Sequence, residues 1–242
     1  MINNLDEISN GNKLNMINQT IYDKFNDFIF SDDLKLMGKL LHRFEHFLKV
    51  KDLPGDIVEI GVFKGSGISS FMKFIQIYCP NSNKKVLGFD IFDTEHAEEI
   101  LEKDGTLDKS NMKVVYDRVE SNELTLKSVT DKLVGTGISQ DKFKLIKGDV
   151  EKTLPHFLND NPGFRTSLIY IDVDLDRPTY FSLKYLWERL LPGGVVLFDE
   201  YEYHKFSEST GVEKFLREIG MEYNLKSTNW IAPTAFMVKK HF

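Results

Sequence analysis

The chain has 242 residues, 41% of them hydrophobic, enough for one large domain or a domain with an appendage. A net charge of −6 removes the Lys/Arg surplus on which general nucleic-acid binding rests. The single cysteine, Cys79, excludes an internal disulfide and a cysteine-based zinc centre. No run of 18 apolar residues marks a membrane span, and the polar, acidic stretch from Met1 to Glu7 does not suit a signal peptide, so a cytoplasmic protein is expected.

Residues 1–34 are expected to form a helical arm or lid, and residues 35–242 the main domain. Within the arm, Ile21, Tyr22, Phe25, Phe28, Ile29 and Phe30 offer an apolar surface suited to a homodimer contact or a lid. From Leu34 to Leu48 apolar residues recur at three and four, which predicts an amphipathic helix to about Val50, capped by Ser31 or Asp32. Leu53-Pro54-Gly55 breaks it before a first strand over Ile57–Ile60. A helix over Ile68–Tyr78 follows, with Cys79 at its end as a small hydrophobe.

Strand two is predicted over Val86–Phe89, ending at Asp90. Residues 93–120 are charged and lack a clear period, so they read as an excursion above the sheet. A helix is expected over Asn122–Leu133, strand three over Phe143–Lys147 and a short helix from Thr153 to Leu158. Strand four is expected over Leu168–Ile171 and a helix over Thr179–Leu191, stopped by Pro192-Gly193-Gly194. Strand five follows over Val195–Phe198, then a helix over Gly211–Ile219. Tyr223–Ser227 and Ala235–Lys239 read as a final antiparallel pair. Alternating strands and helices with short, continuous apolar strands predict a doubly wound, mostly parallel α/β sheet with an antiparallel C-terminal hairpin.

The stretch Glu59-Ile60-Gly61-Val62-Phe63-Lys64-Gly65-Ser66-Gly67 places an acid and then a glycine-rich turn between the first strand and its helix. A dinucleotide site wants G-x-G-x-x-G, but Phe63 and Ser66 stand where its second and third glycines would be. The observed E-x-G-x-x-x-G-x-G better suits S-adenosylmethionine, which lacks a phosphate and carries a cationic amino-acid tail. Glu59 would face that tail, Gly61 and Gly65 would let the backbone approach, and Lys64, Ser66 and, past strand four, Asp172 are expected in the same cofactor-binding set. Asp90 is placed to take the ribose hydroxyls and Asp149 the adenine amino group, although each also fits a helix cap or loop carboxylate. A nicotinamide-dependent oxidoreductase and a non-catalytic binding protein on the same fold stand as alternatives.

Asp172 and Asp174 follow strand four, and Asp199 and Glu200 follow strand five. If those strands are neighbours their ends lie about 5 Å apart, so the carboxylates crowd and call for a hard divalent cation such as Mg²⁺. Such a cation would acidify and align a substrate hydroxyl, with a neighbouring carboxylate or His204 taking the proton. The plainer reading has these acids capping helices or pairing with Arg177 and Lys205. His42 and His46, four apart on the first long helix, fit a packed face better than a zinc pair.

Pro54–Gly65, Gly88–Asp93, Gly148-Asp149 with Thr153-Leu154-Pro155, Ile171–Asp174 with Pro178-Thr179, and Leu191–Tyr201 together resemble the macrocin O-methyltransferase family over about residues 35–220. The resemblance implies a class I methyltransferase, Rossmann-like seven-stranded fold and S-adenosylmethionine as methyl donor. It also implies a divalent metal, usually magnesium, and a sugar-bearing acceptor from natural-product or polysaccharide biosynthesis. By that resemblance Asp172 or Asp174, with Asp199 and Glu200, hold the metal. Catechol-type methyltransferases favour Asp172 as the strand-four ligand; their base lysine would fall near Leu175, which leaves Asp174 or His204 as the base.

Overall fold

The structure, a computed structural model, describes residues 18–93, 97–220 and 225–240. Among the described residues, those up to Leu36 and those from Met37 onward form separate compact units. In the first, α1 (Gln19–Ile29) begins at Asn18, whose side chain accepts from the Ile21 N–H, and no residue of α1 is buried. The part of the expected arm before Asn18 falls outside the described residues.

Helix α2 (Leu34–Val50) takes its cap from Asp33, whose Oδ1 accepts the Leu36 N–H at 2.8 Å, not from Ser31 or Asp32. The main unit is then a seven-stranded sheet of β1 (Asp56–Ile60), β2 (Val86–Asp90), β3 (Phe143–Lys147), β4 (Thr166–Ile171), β5 (Leu190–Phe198), β6 (Lys226–Ser227) and β7 (Ala235–Val238). The spatial order is β3-β2-β1-β4-β5-β7-β6. The first five strands are parallel, and β7 runs antiparallel between β5 and β6. The expected strand start at Tyr223 lies outside the described residues.

The central strands β1, β2, β4 and β5 are largely apolar on both faces because both faces are covered. On one side Ile57, Leu168 and Tyr170 pack with Phe47 and Val50 of α2, Ile68 and Phe71 of α3 (Ser66–Tyr78), and Val129 and Leu133 of α6 (Leu126–Val134). On the other, Val58, Ile60 and Ile169 pack with Leu154 and Phe157 of α7 (Val150–Asp160), Leu183 and Leu186 of α8 (Asp176–Leu186), and Val212 and Phe215 of α9 (Glu208–Ile219). Each such side chain, fully buried, contributes about 1.5–3 kcal/mol. Cys79 caps the end of α3, half-buried and unpaired. No helix among the described residues is long and apolar enough to cross a membrane.

Four expectations need correction. The excursion after β2 is helical, with α4 (Ala97–Leu101) and α5 (Thr106–Tyr116); α5 buries only Asp108 and Met112, too narrow a face to leave an apolar period. Thr125, not Ser121 or Asn122, caps α6, after a 3₁₀ turn at Ser121–Leu124. Helix α7 starts at the Asp149 cap instead of Thr153. Pro192-Gly193-Gly194 does not stop a helix: α8 ends at Leu186, and the tripeptide is a bulge inside β5. There Gly193, at φ +80°, donates to the Lys239 carbonyl at 2.8 Å.

Candidate active site at the strand ends

The chain runs outward from β1 to β3, then restarts at β4 on the other side of β1, so the order reverses between β1 and β4. Ligands of open α/β sheets bind outside the C-terminal strand ends at such a reversal. Here those ends are level. The first residue past each of β1, β3, β4 and β5 continues the ladder onto the last or next-to-last residue of its neighbour. Gly61 N–H donates to the Phe89 carbonyl at 2.9 Å, Gly148 N–H to Asp90 at 2.8 Å, Asp172 N–H to Ile60 at 2.8 Å and Asp199 N–H to Ile171 at 2.9 Å. Glu59, Gly61, Asp90, Asp149, Asp172 and Asp199 therefore share one rim.

The glycine turn is shaped by its own backbone. Gly61 has φ +87°, and a Cβ there would collide with the Asp172 carbonyl. Phe63 also sits at positive φ, +51°, a conformation held by Asp90, whose Oδ2 accepts the Val62 and Phe63 N–H groups at 2.7 and 2.8 Å. Asp90 Oδ1 accepts the Phe92 N–H at 3.1 Å. Burial pushes the Asp90 carboxyl up, and these N–H groups pull it back. Most of its acceptor capacity is thus spent on the turn, which leaves room for fewer ribose contacts than the two expected. Glu59 lies under the first turn of α3, where a Cβ on Gly67 would strike its carboxylate. Burial pushes the Glu59 carboxyl up to about 8 against the opposing pull of Arg43, 3.5 Å away. Its Oε2 has no hydrogen-bond partner among the described residues.

Beside the turn, Asp172 Oδ2 and Asp199 Oδ2 converge on the Lys39 ammonium, each at 2.8 Å. The Tyr170 hydroxyl donates to Asp199 Oδ1. Burial raises the carboxyls of this pair; Lys39 and Arg43 outweigh it at Asp172, which is held low, whereas burial and Asp172 itself keep Asp199 high. Asp174 is raised well above the carboxylate range by burial and then by Asp172, Asp199 and Glu200. It also holds φ +65°, a left-handed backbone that L side chains rarely adopt. Glu208, fully buried at the start of α9, is raised by burial and by Asp174, Asp199 and Asp172; its Oε1 accepts the Glu200 N–H at 3.1 Å.

The remaining expected residues fall at the edges. Lys64 pairs with Glu123 at 2.5 Å, and Ser66 is exposed at the start of α3. Asp149 acts as a cap: Oδ1 accepts the Glu151 N–H at 3.1 Å, and Oδ2 receives Arg177 at 3.2 Å. Arg177 thus serves Asp149, Asp104 and Glu151, not the strand-four and strand-five acids. His204 is exposed, its ring against Tyr203. His42, Glu45 and His46 bring ligand atoms within 4.8 Å of one another, yet His42 stacks on Trp230, His46 meets the edge of Phe236, and Lys49 takes Glu45, which makes a packed helix face.

Sequence reasoning missed Lys39, Arg43, Tyr170 and Glu208. Lys39 and Arg43 stand four apart on one face of α2 with the buried His46 and Val50, while Leu36, Leu40, Leu41 and Leu48, which carry the apolar period, are exposed, so that period points away from both cations. Tyr170 sits inside an apolar strand and Glu208 in a polar helix turn; neither leaves a signal.

The reversal between β1 and β4, the glycine turn, the carboxylates past β4 and β5 and the antiparallel β7 define a class I methyltransferase architecture. The chain belongs to the macrocin O-methyltransferase (TylF) family, whose profile matches residues 35–236. It is 30% identical over 149 residues to the 8-demethyl-8-(2,3-dimethoxy-alpha-L-rhamnosyl)-tetracenomycin-C 4'-O-methyltransferase of Streptomyces olivaceus, covering 62% of this chain and 54% of that protein. It is 24% identical over 193 residues to the mycinamicin III 3''-O-methyltransferase of Micromonospora griseorubida, covering 77% and 73%. The chain thus spans about half the length of the first relative. Among solved structures, the calicheamicin methyltransferase CalS11 shares the fold at TM-score 0.68 and 22% identity, covering 92% of this chain and 86% of that one. The O-methyltransferase NovP does so at 0.67 and 16%, covering 84% and 79%.

Proposed function

We propose that this protein is an S-adenosylmethionine-dependent O-methyltransferase that methylates a hydroxyl of a sugar or glycosylated small molecule with the help of a divalent cation, Mg²⁺ first. The observation that carries the reading is the meeting of two oxygens, Asp172 Oδ2 and Asp199 Oδ2, on one cationic atom beside the β1 glycine turn. The family match and the sugar O-methyltransferases among the relatives support the acceptor class.

The donor sets fit both groups. Glu59 offers a spare buried oxygen at the turn, suited to a cationic amino group. Asp172, Asp199 and Glu200 form an all-oxygen set of the kind hard cations take, close enough to Asp174 to raise its carboxyl. S-Adenosylmethionine supplies a methyl already activated by its sulfonium; a divalent cation held by Asp172, Asp199 and Glu200 would lower the pKa of the acceptor hydroxyl. What the chain must add is alignment and a proton acceptor. Asp174 is the base we favour over His204: it lies among the carboxylates, its proton affinity is raised, and its left-handed backbone fixes its direction. Arg43 clamps Glu59 and Asp172 from above, at 3.5 and 3.6 Å, and so ties the donor side to the acceptor side. A homodimer through the exposed Ile21, Phe25 and Ile29 of α1, and a cytoplasmic location, belong to the same proposal.

Incubation with S-adenosylmethionine, Mg²⁺ and a panel of rhamnosylated and other glycosylated acceptors tests the reading by mass spectrometry. Gain of one methyl group on a sugar hydroxyl is the expected outcome; methylation confined to the aglycone would contradict it.

The raised Glu59 carboxyl gives a pH prediction. Binding a cationic tail needs the carboxylate, which is protonated below about 8. Affinity for S-adenosylhomocysteine should therefore rise with pH, by up to about tenfold per unit below 8, and then level off. Glu59→Gln should flatten the profile; an unchanged slope in that variant refutes the assignment. Stability of the empty protein runs the other way. The folded carboxyl keeps its proton where the unfolded one, at 4.5, has lost it, so Glu59 costs stability as pH rises from 4.5 to about 8.

A further inference from the structure

Helix α2 lays two basic side chains over the strand ends, one turn apart, and they do different jobs. Arg43 spans β1 and β4: its guanidinium lies 4.6 Å from the Tyr170 ring centre, 3.5 Å from Glu59 and 3.6 Å from Asp172. Lys39 spans β4 and β5, and its Nζ stands where the Asp172 and Asp199 Oδ2 atoms converge, 2.8 Å from each. Resting on the metal reading above, we infer that Lys39 is the resident cation of the Asp172–Asp199 pair, and that a divalent cation enters by displacing its ammonium from those two oxygens.

The geometry leaves no room for both. A magnesium ion sits about 2.0–2.1 Å from its oxygen ligands, so an ion shared by these two Oδ2 atoms takes nearly the place of Nζ, and like charges so close repel strongly in a buried site. Lysine suits an exchange better than arginine: it is a point charge on a flexible four-carbon stem, not a planar fork locked by paired hydrogen bonds. The Lys39 side chain keeps 18% of its surface exposed, a route out toward solvent. Arg43 stays on Asp172 and Glu59 when Lys39 leaves, so the frame of the rim persists. The consequence is a site whose carboxylates are kept compensated before metal arrives, at the expense of metal affinity.

Manganese titration followed by electron paramagnetic resonance tests this on the full chain, comparing the native protein with Lys39→Met, Lys39→Arg and the surface control Lys127→Met. Removing the competing ammonium should tighten Mn²⁺ binding about tenfold or more in Lys39→Met, while Lys39→Arg and Lys127→Met stay at or below native affinity. Equal binding of one Mn²⁺ by the native protein and Lys39→Met overturns the displacement and leaves the metal reading standing. No Mn²⁺ on either sinks both, while S-adenosylhomocysteine binding reports separately on the donor site. A second readout needs no variant: amine acylation of the native protein, mapped by mass spectrometry. Lys39 should react faster at saturating Mn²⁺ than without it, with Lys127 constant; unchanged Lys39 labelling overturns the inference even if Lys39→Met does not fold.

Discussion

Replacing Asp199 by Ala is expected to lower kcat/KM for methyl transfer by at least about a thousandfold, while the Kd for S-adenosylhomocysteine moves less than about threefold. The split follows from where Asp199 stands. It is one strand beyond the reversal, on β5, and meets Lys39, Tyr170 and the Asp172 carboxylate, not the glycine turn after β1. Losing it removes half of the oxygen pair that would hold a cation and leaves the buried Tyr170 hydroxyl without its acceptor. That orphaned hydroxyl costs about 1–3 kcal/mol of stability, so Asp199→Asn, which keeps an acceptor for Tyr170, is the companion variant. Both should be inactive, and only the Ala variant should melt early. Retained turnover in Asp199→Asn, or full activity of the native enzyme in EDTA, would remove the metal from the mechanism.

Gly61→Ala is expected to be the most damaging small substitution in the chain. Two costs act together. Alanine at φ +87° pays about 1–2 kcal/mol for left-handed backbone, and its Cβ falls on the Asp172 carbonyl, a backbone atom that cannot swing away. The two strands at the reversal must then part, and Asp172 N–H loses its 2.8 Å bond to the Ile60 carbonyl. A total above about 3 kcal/mol is expected, a fall in Tm of roughly 10 °C for a domain of this size. Gly163→Ala is the control, because nothing lies within 4 Å of a Cβ there. A native-like melt and native S-adenosylhomocysteine affinity for Gly61→Ala would show that β1 and β4 are not packed this tightly at the rim.

The sheet was legible because its central strands are short apolar runs that end in a glycine or an acid, and the positions of β1, β2, β3 and β4 differ from the expected ones by at most two residues at an end. Helix starts were less legible. Asp149 caps a helix whose first turn carries a single apolar residue, Val150, Thr125 caps one that follows directly on a 3₁₀ turn, and the bulge at Pro192-Gly193-Gly194 uses residues that elsewhere stop helices. At the rim, sequence spacing could place carboxylates at strand ends, because a strand end fixes a residue's level in the fold. It could not say what faces them. Lys39 and Arg43 come from a helix more than a hundred residues from Asp172 in the chain, and only the packing of α2 on the sheet brings the charges together. The same limit explains Asp90 and Asp149. Spacing puts both at the rim, but backbone N–H groups claim much of the Asp90 carboxylate, and the Glu151 N–H and Arg177 claim that of Asp149.

Calorimetric titration of the native protein with S-adenosylhomocysteine at pH 8 bears most directly on the claim that the rim between β1 and β4 is a methyl-donor site. One molecule bound per chain, with the heat lost in Glu59→Ala and kept in Lys127→Met, is the result expected. Absence of any binding heat from a folded native protein, or equal binding by Glu59→Ala, would contradict it.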